Sequence, residues 1–168
     1  MCSLRSPQHP EGLTELGAAA VRVAEDSLFA FAEPCEAEVA VGLIQARPAR
    51  ERWLTASIAF TGPFDGVASI SVPRTLCADL AGAFCGVPVE SLEPAQVVDF
   101  AGELANMICG SWLTQTHRTE GFALTAPVVV DAAAADVARA TDVEALGLVL
   151  QDTPLLLRLG AGSVVAQA

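Results

Sequence analysis

Apolar positions recur along this chain at two different periods. From about Leu13 to Phe31 the spacing is helical, with Leu13, Leu16, Ala20, Val23, Ser27 and Ala30 on one face, and Pro34 ends the run. Three strand-like runs follow. Val39 to Ile44 is apolar, broken by Gly42. Trp53 to Phe60 alternates, with Trp53, Thr55, Ser57 and Ala59 opposite an apolar set of Leu54, Ala56, Ile58 and Phe60. That alternation suits a sheet with one buried face. Thr61 to Gly66 holds two glycines and a proline and reads as a turn into a third strand, Val67 to Val72.

Pro73 suits the first turn of a helix over Arg74 to Phe84, closed by Gly86 and Pro88. A longer helix is expected from Pro94 to His117, stopped by Gly121. Leu124–Val130, Ala145–Leu150 and Leu155–Leu159 predict three more strands, with an alanine-rich short helix in Asp131–Thr141 and a hairpin turn at Gln151-Asp152-Thr153-Pro154. The pattern predicts an α/β fold of the α+β sandwich kind. Its sheet would be antiparallel or mixed with about six strands, and two long helices and a short one would pack on it. The two halves share a shape without visible sequence identity. The expected organisation is a leader over 1–11, one domain over 12–160 and a tail over 161–168.

Composition narrows the function. The net charge is −11, and nine arginines with no lysine supply all the fixed positive charge. Such a chain lacks the basic surface that nucleic acid requires, and an anionic membrane would repel it. A partner with a positive patch is the electrostatic match. The five cysteines include no CxxC pair, and only two histidines are present, so no metal site is expected. Met1 to Glu11 is polar with no apolar segment of signal type, and no apolar run approaches the ~20 residues that span a bilayer. A cytoplasmic protein with reduced thiols is expected.

The informative stretch is Asp99 to Gly110, inside the long helix. At about 100° per residue, Phe100, Ala101, Leu104, Ile108 and Trp112 share one side, and Asp99, Glu103, Asn106 and Gly110 the other. Glu103 and Asn106 are neighbours at i, i+3. Gly102 and Gly110 each cost the helix about 1 kcal/mol relative to alanine, a cost tolerated where something must approach the backbone closely. Helix geometry alone leaves this strip a solvated face as readily as a site. Trp53 and Trp112 read as packing residues, and His117 and Arg118 as cations complementing the helix end.

The string Glu103-Leu104-Ala105-Asn106-Met107-Ile108-Cys109-Gly110 resembles the ExxN signature of the CheX and CheC chemotaxis phosphatases. Phe60 to Gly66, followed by an apolar strand, resembles that family's F-x-G-x-x-x-G turn, and Leu76 to Gly86 its short helix. The first helix offers no second ExxN, and one site per chain is the CheX pattern. A lysine often found after the family's glycine is missing. The resemblance implies a phosphatase acting on the phospho-aspartate of a response-regulator receiver domain. Asn106 would orient the attacking water and Glu103 would pair with the receiver's lysine. Asp99, Gly102 and Gly110 would face the partner, whose own Mg²⁺ would serve. A homodimer is implied as well. The runner-up is a non-catalytic receiver-binding or flagellar-switch-like adaptor of the same fold.

Overall fold

The structure, a computed structural model, describes residues 10–117, 121–139 and 144–161. Helix α1 (Pro10–Leu28) leads into strand β1 (Ala32–Cys35), helix α2 (Ala37–Gln45) and the hairpin of β2 (Arg52–Thr61) and β3 (Gly66–Pro73). Helix α3 (Arg74–Cys85) and a single 3₁₀ turn precede the long helix α4 (Pro94–Thr116). Then come β4 (Ala123–Leu124), β5 (Val128–Ala133), helix α5 (Ala134–Arg139) and the hairpin of β6 (Glu144–Leu150) and β7 (Thr153–Gly160). All strand pairs are antiparallel, in the order β1-β6-β7-β3-β2, and both β4 and β5 pair with the outer side of β2.

One face of the sheet carries the main core. Leu54, Ala56, Ile58 and Phe60 of β2, with Ile70, Val72, Leu155 and Leu157, meet Leu16, Ala20 and Val23 of α1, Leu76 and Leu80 of α3, and Phe100, Leu104, Ile108 and Trp112 of α4. The apolar side read from the alternation in β2 is therefore the core side. The opposite face is covered at one end, where Ala40 and Ile44 of α2 and Ala134 and Val137 of α5 enclose Trp53 and Leu156. Trp53 is 0% exposed, so this strand is buried on both faces there. Arg158 lies under the same cap, only 6% exposed. Its Nη1 donates to Ser71 Oγ at 3.4 Å and its Nη2 to the Val137 carbonyl in the last turn of α5. Burial pushes the guanidinium below its usual pKa.

Three expectations are corrected. Val39 to Ile44 is helix α2, not a strand. Ala37, Ala40, Val41 and Ile44 face the small core at helical spacing, while Val39 and Leu43 point outward, so burial period overrides the strand preference of the valines. The first helix ends earlier, at Leu28, where Phe29 takes a left-handed φ of 52°. Pro34 then sits within β1 rather than merely ending the helix. Proline fits because β1 is an edge strand paired only to β6. The single run Leu124–Val130 is two strands, β4 and β5. The expected leader begins to be helical at Pro10, and its first nine residues lie outside the described residues, as do residues 162–168 of the tail.

With α2 recognised as a helix, the repeat becomes explicit. With the two-residue β4 set aside, the order α1-β1-α2-β2-β3 is matched by α4-β5-α5-β6-β7, and the sheet order β1-β6-β7-β3-β2-β5 is unchanged when the halves are exchanged and read from the other end. Helices α1 and α4 lie side by side as equivalent elements on the main core. Among the described residues, no helix is long and apolar enough to cross a membrane.

Candidate functional site

Helix α4 is held firmly at its start. Pro94 occupies its first turn, and Gln96 Oε1 accepts from the Glu93 backbone N–H at 2.8 Å. Ten of its residues are buried, from Val97 to Leu113, which fixes the rotation of the helix on the sheet. Further along, Trp112 stacks edge-on to Phe60 at 5.4 Å within a cluster that includes Phe64, His117 and Phe122. Trp112 is thus a packing residue, and His117 belongs to the same cluster at the helix end. The turn carrying Phe60 to Gly66 supports this cluster from below. A Cβ on Gly66 would lie 2.5 Å from Phe60 Cζ and 2.9 Å from the Gly160 carbonyl, so the turn needs glycine there.

That fixed rotation decides what faces outward. Asp99 and Glu103 are exposed, and Asn106 and Gly110 are half-buried along the same strip. Neither Glu103 nor Asn106 makes a side-chain hydrogen bond or ion pair with any described residue, so a carboxylate and a carboxamide stand ready for another molecule. A Cβ on Gly110 would meet nothing within 4 Å, leaving a bare patch one turn beyond Asn106. A groove of about 290 Å³ runs alongside, between Arg22 and Asp26 of α1 and Met107, Ser111 and Gln115 of α4.

Gly102 departs from the expectation that it faces a partner. It is buried, and a Cβ there would lie 3.0 Å from Pro127 Cγ and 3.5 Å from Val129 Cγ2. Its smallness admits the chain's own β4–β5 segment. Asn106 is also the only asparagine in the chain, so α1, the equivalent helix, cannot present the same pair. Among the described residues no cluster of histidine, cysteine or acidic side chains could hold a metal ion. Cys109, on the same helix, is buried, and desolvation pushes its thiol up to about 12, which removes it as a nucleophile near neutral pH.

The family model described as the chemotaxis phosphatase CheX matches residues 54–150, a span that includes the whole strip. Among solved structures, the chemotaxis protein CheX from Vibrio vulnificus superposes with a TM-score of 0.66 at 17% identity, over 92% of this chain and 99% of that one. The CheX of a CheX–CheY–BeF3–Mg²⁺ complex from Borrelia burgdorferi is similar too, with a TM-score of 0.61 at 16% identity over 88% and 95% of the two chains. FliY from Thermotoga maritima aligns at 0.52 and 14% identity, over 94% of this chain and 93% of that one. At these identities the structural likeness shows a shared fold. Among curated proteins none matches.

Proposed function

Since the chain belongs to the CheX family of chemotaxis phosphatases, we propose that it hydrolyses the phospho-aspartate of a CheY-like receiver domain through Glu103 and Asn106. One observation carries this reading. An acid and an amide, adjacent at i, i+3 and without partners among the described residues, stand outward on a helix whose rotation is locked by ten buried residues. The similar fold seen in complex with CheY, BeF3 and Mg²⁺ supports a receiver domain as the partner.

The chemistry needs little from this chain. An acyl phosphate is labile, and a receiver supplies its own Mg²⁺ and lysine. What remains is to place a water in line with phosphorus. Asn106 offers a donor and an acceptor and brings no charge against the phosphoryl oxygens. Glu103 would repel those oxygens at the reaction centre, and serves better paired with the receiver's lysine, holding the two proteins in register. Asp99 and Gly110 extend the contact strip, the glycine by letting the partner approach the helix backbone. The same family likeness leads us to expect a homodimer.

Phosphate release from a phosphorylated receiver tests the assignment. Asn106→Ala should abolish the acceleration while binding to a beryllofluoride-treated receiver persists. Glu103→Ala should weaken binding and rate together. Full activity in both variants refutes the site. Binding without acceleration by the unmodified protein, present at less than one copy per receiver, would instead make it an adaptor.

A further inference from the structure

Positive charge is scarce here, yet it is not evenly spread. Of nine arginines in a chain of net charge −11, Arg50, Arg52 and Arg74 line one groove of about 530 Å³, walled also by Pro48, Thr75 and Ala78. Asp131 of β5 sits between two of them. Its Oδ1 accepts from Arg52 Nε at 2.6 Å, and its Oδ2 accepts from Arg74 Nη1 at 3.1 Å. Glu51, also on the groove, is already engaged by Arg47, whose Nη2 donates to Oε1 at 2.7 Å. Arg50 is exposed and makes no ion pair with a described residue. Arg52 and Arg74 thus share one carboxylate and Arg50 has none, leaving an excess of two positive charges on a concave surface.

From this we propose that the groove is a binding site for a small phosphorylated molecule. The phosphoryl dianion matches the excess charge. Arginine forks bind phosphoryl oxygens through paired, charge-assisted hydrogen bonds. Asp131 holds the heads of Arg52 and Arg74 side by side at the groove before any ligand arrives. The volume lies in the range of small-molecule sites. Thr75 on the wall belongs to the first turn of α3, which carries no acidic residue, so the helix dipole adds to the arginines rather than opposing them.

The groove is separate from the Glu103–Asn106 strip. Arg74 Nη2 donates to the Pro94 carbonyl at the start of α4, at 3.4 Å. Asn106 lies twelve residues further along that helix, about 18 Å at 1.5 Å per residue. The proposal therefore stands or falls independently of the phosphatase reading.

Calorimetric titration of the full chain with inorganic pyrophosphate and with orthophosphate, at low salt, provides the test. Saturable binding of one anion per chain is expected. Arg50→Gln combined with Arg52→Gln should raise Kd by about tenfold, as loss of charge-assisted hydrogen bonds implies. Arg139→Gln, on an exposed arginine of α5 outside the groove, should leave Kd unchanged. If the double variant melts as an unfolded chain, Arg50→Gln alone decides, because that side chain supports no described contact. Absence of saturable binding by either anion overturns the site, as does equal affinity in the variants. A polyglutamate peptide binding as tightly as pyrophosphate would also overturn it, marking the groove as a face for acidic proteins.

Discussion

Asn106 owes its position to residues on the other side of its helix. Phe100, Leu104, Ile108 and Trp112 turn the helix so that position 106 faces out, and Gly110 clears the surface beside it. Gly110 on the strip and Gly147 on β6 have opposite surroundings and separate by test. Gly110→Ala adds a Cβ into open space and should stabilise the fold by about 1 kcal/mol in urea denaturation, as helix propensity requires. On the proposed function it should simultaneously weaken receiver binding; unchanged binding would remove Gly110 from the contact surface. At Gly147 a Cβ would fall 2.5 Å from Cys35 Sγ and 2.6 Å from Ala40 Cβ, so Gly147→Ala should destabilise by about 1–3 kcal/mol in the same assay. Burial also sets the thiols. Desolvation lifts Cys77 and Cys109 from 9.0 to about 12, with Arg74 partly offsetting the rise at Cys77. In the unfolded chain these thiols ionise first. Their contribution is intact below pH 9 and is lost as pH climbs towards 12. Melting temperatures measured across that window should fall, and fall less steeply in a Cys77→Ala/Cys109→Ala variant.

Elements with a long, regular period were legible from the sequence, and short ones were not. Helix α4 was readable to within one residue because Pro94, an unbroken apolar stripe and the following glycine mark both its ends. The β2–β3 and β6–β7 hairpins were equally plain. Gln151 and Asp152 take φ of 49° and 63° at the second turn, the conformation that a two-residue hairpin demands. Helix α2 was missed because nine residues rich in valine, leucine and isoleucine satisfy a strand pattern as well as a helical one. Only the cap that α2 and α5 form over Trp53 selects the helix, and that cap is a tertiary fact. Gly42→Ala tests the assignment. A Cβ there meets nothing within 4 Å, so the substitution should raise stability by about 1 kcal/mol if the segment is helical. The role of Gly102 was invisible for a similar reason, since Pro127 is far away in sequence and close only once β5 has paired with β2.

At the scale of the molecule, charge and symmetry matter most. Acidity spread over much of the surface fits a docking partner with a basic contact. The clustered arginines at the sheet's β2–β5 edge are the local exception. The strip's resemblance to a known motif and its place on the water-facing side of the helix could both be read before folding, but its lack of partners could not. That depends on how the equivalent helices α1 and α4 settle on a common sheet.

That settled pair has a numerical consequence. The architecture is doubled, whereas the amide occurs once, so each chain should engage a single receiver at a time. A titration followed by light scattering should break at equimolar protein, and a break at two receivers per chain would mean that α1 holds a docking surface built from other side chains.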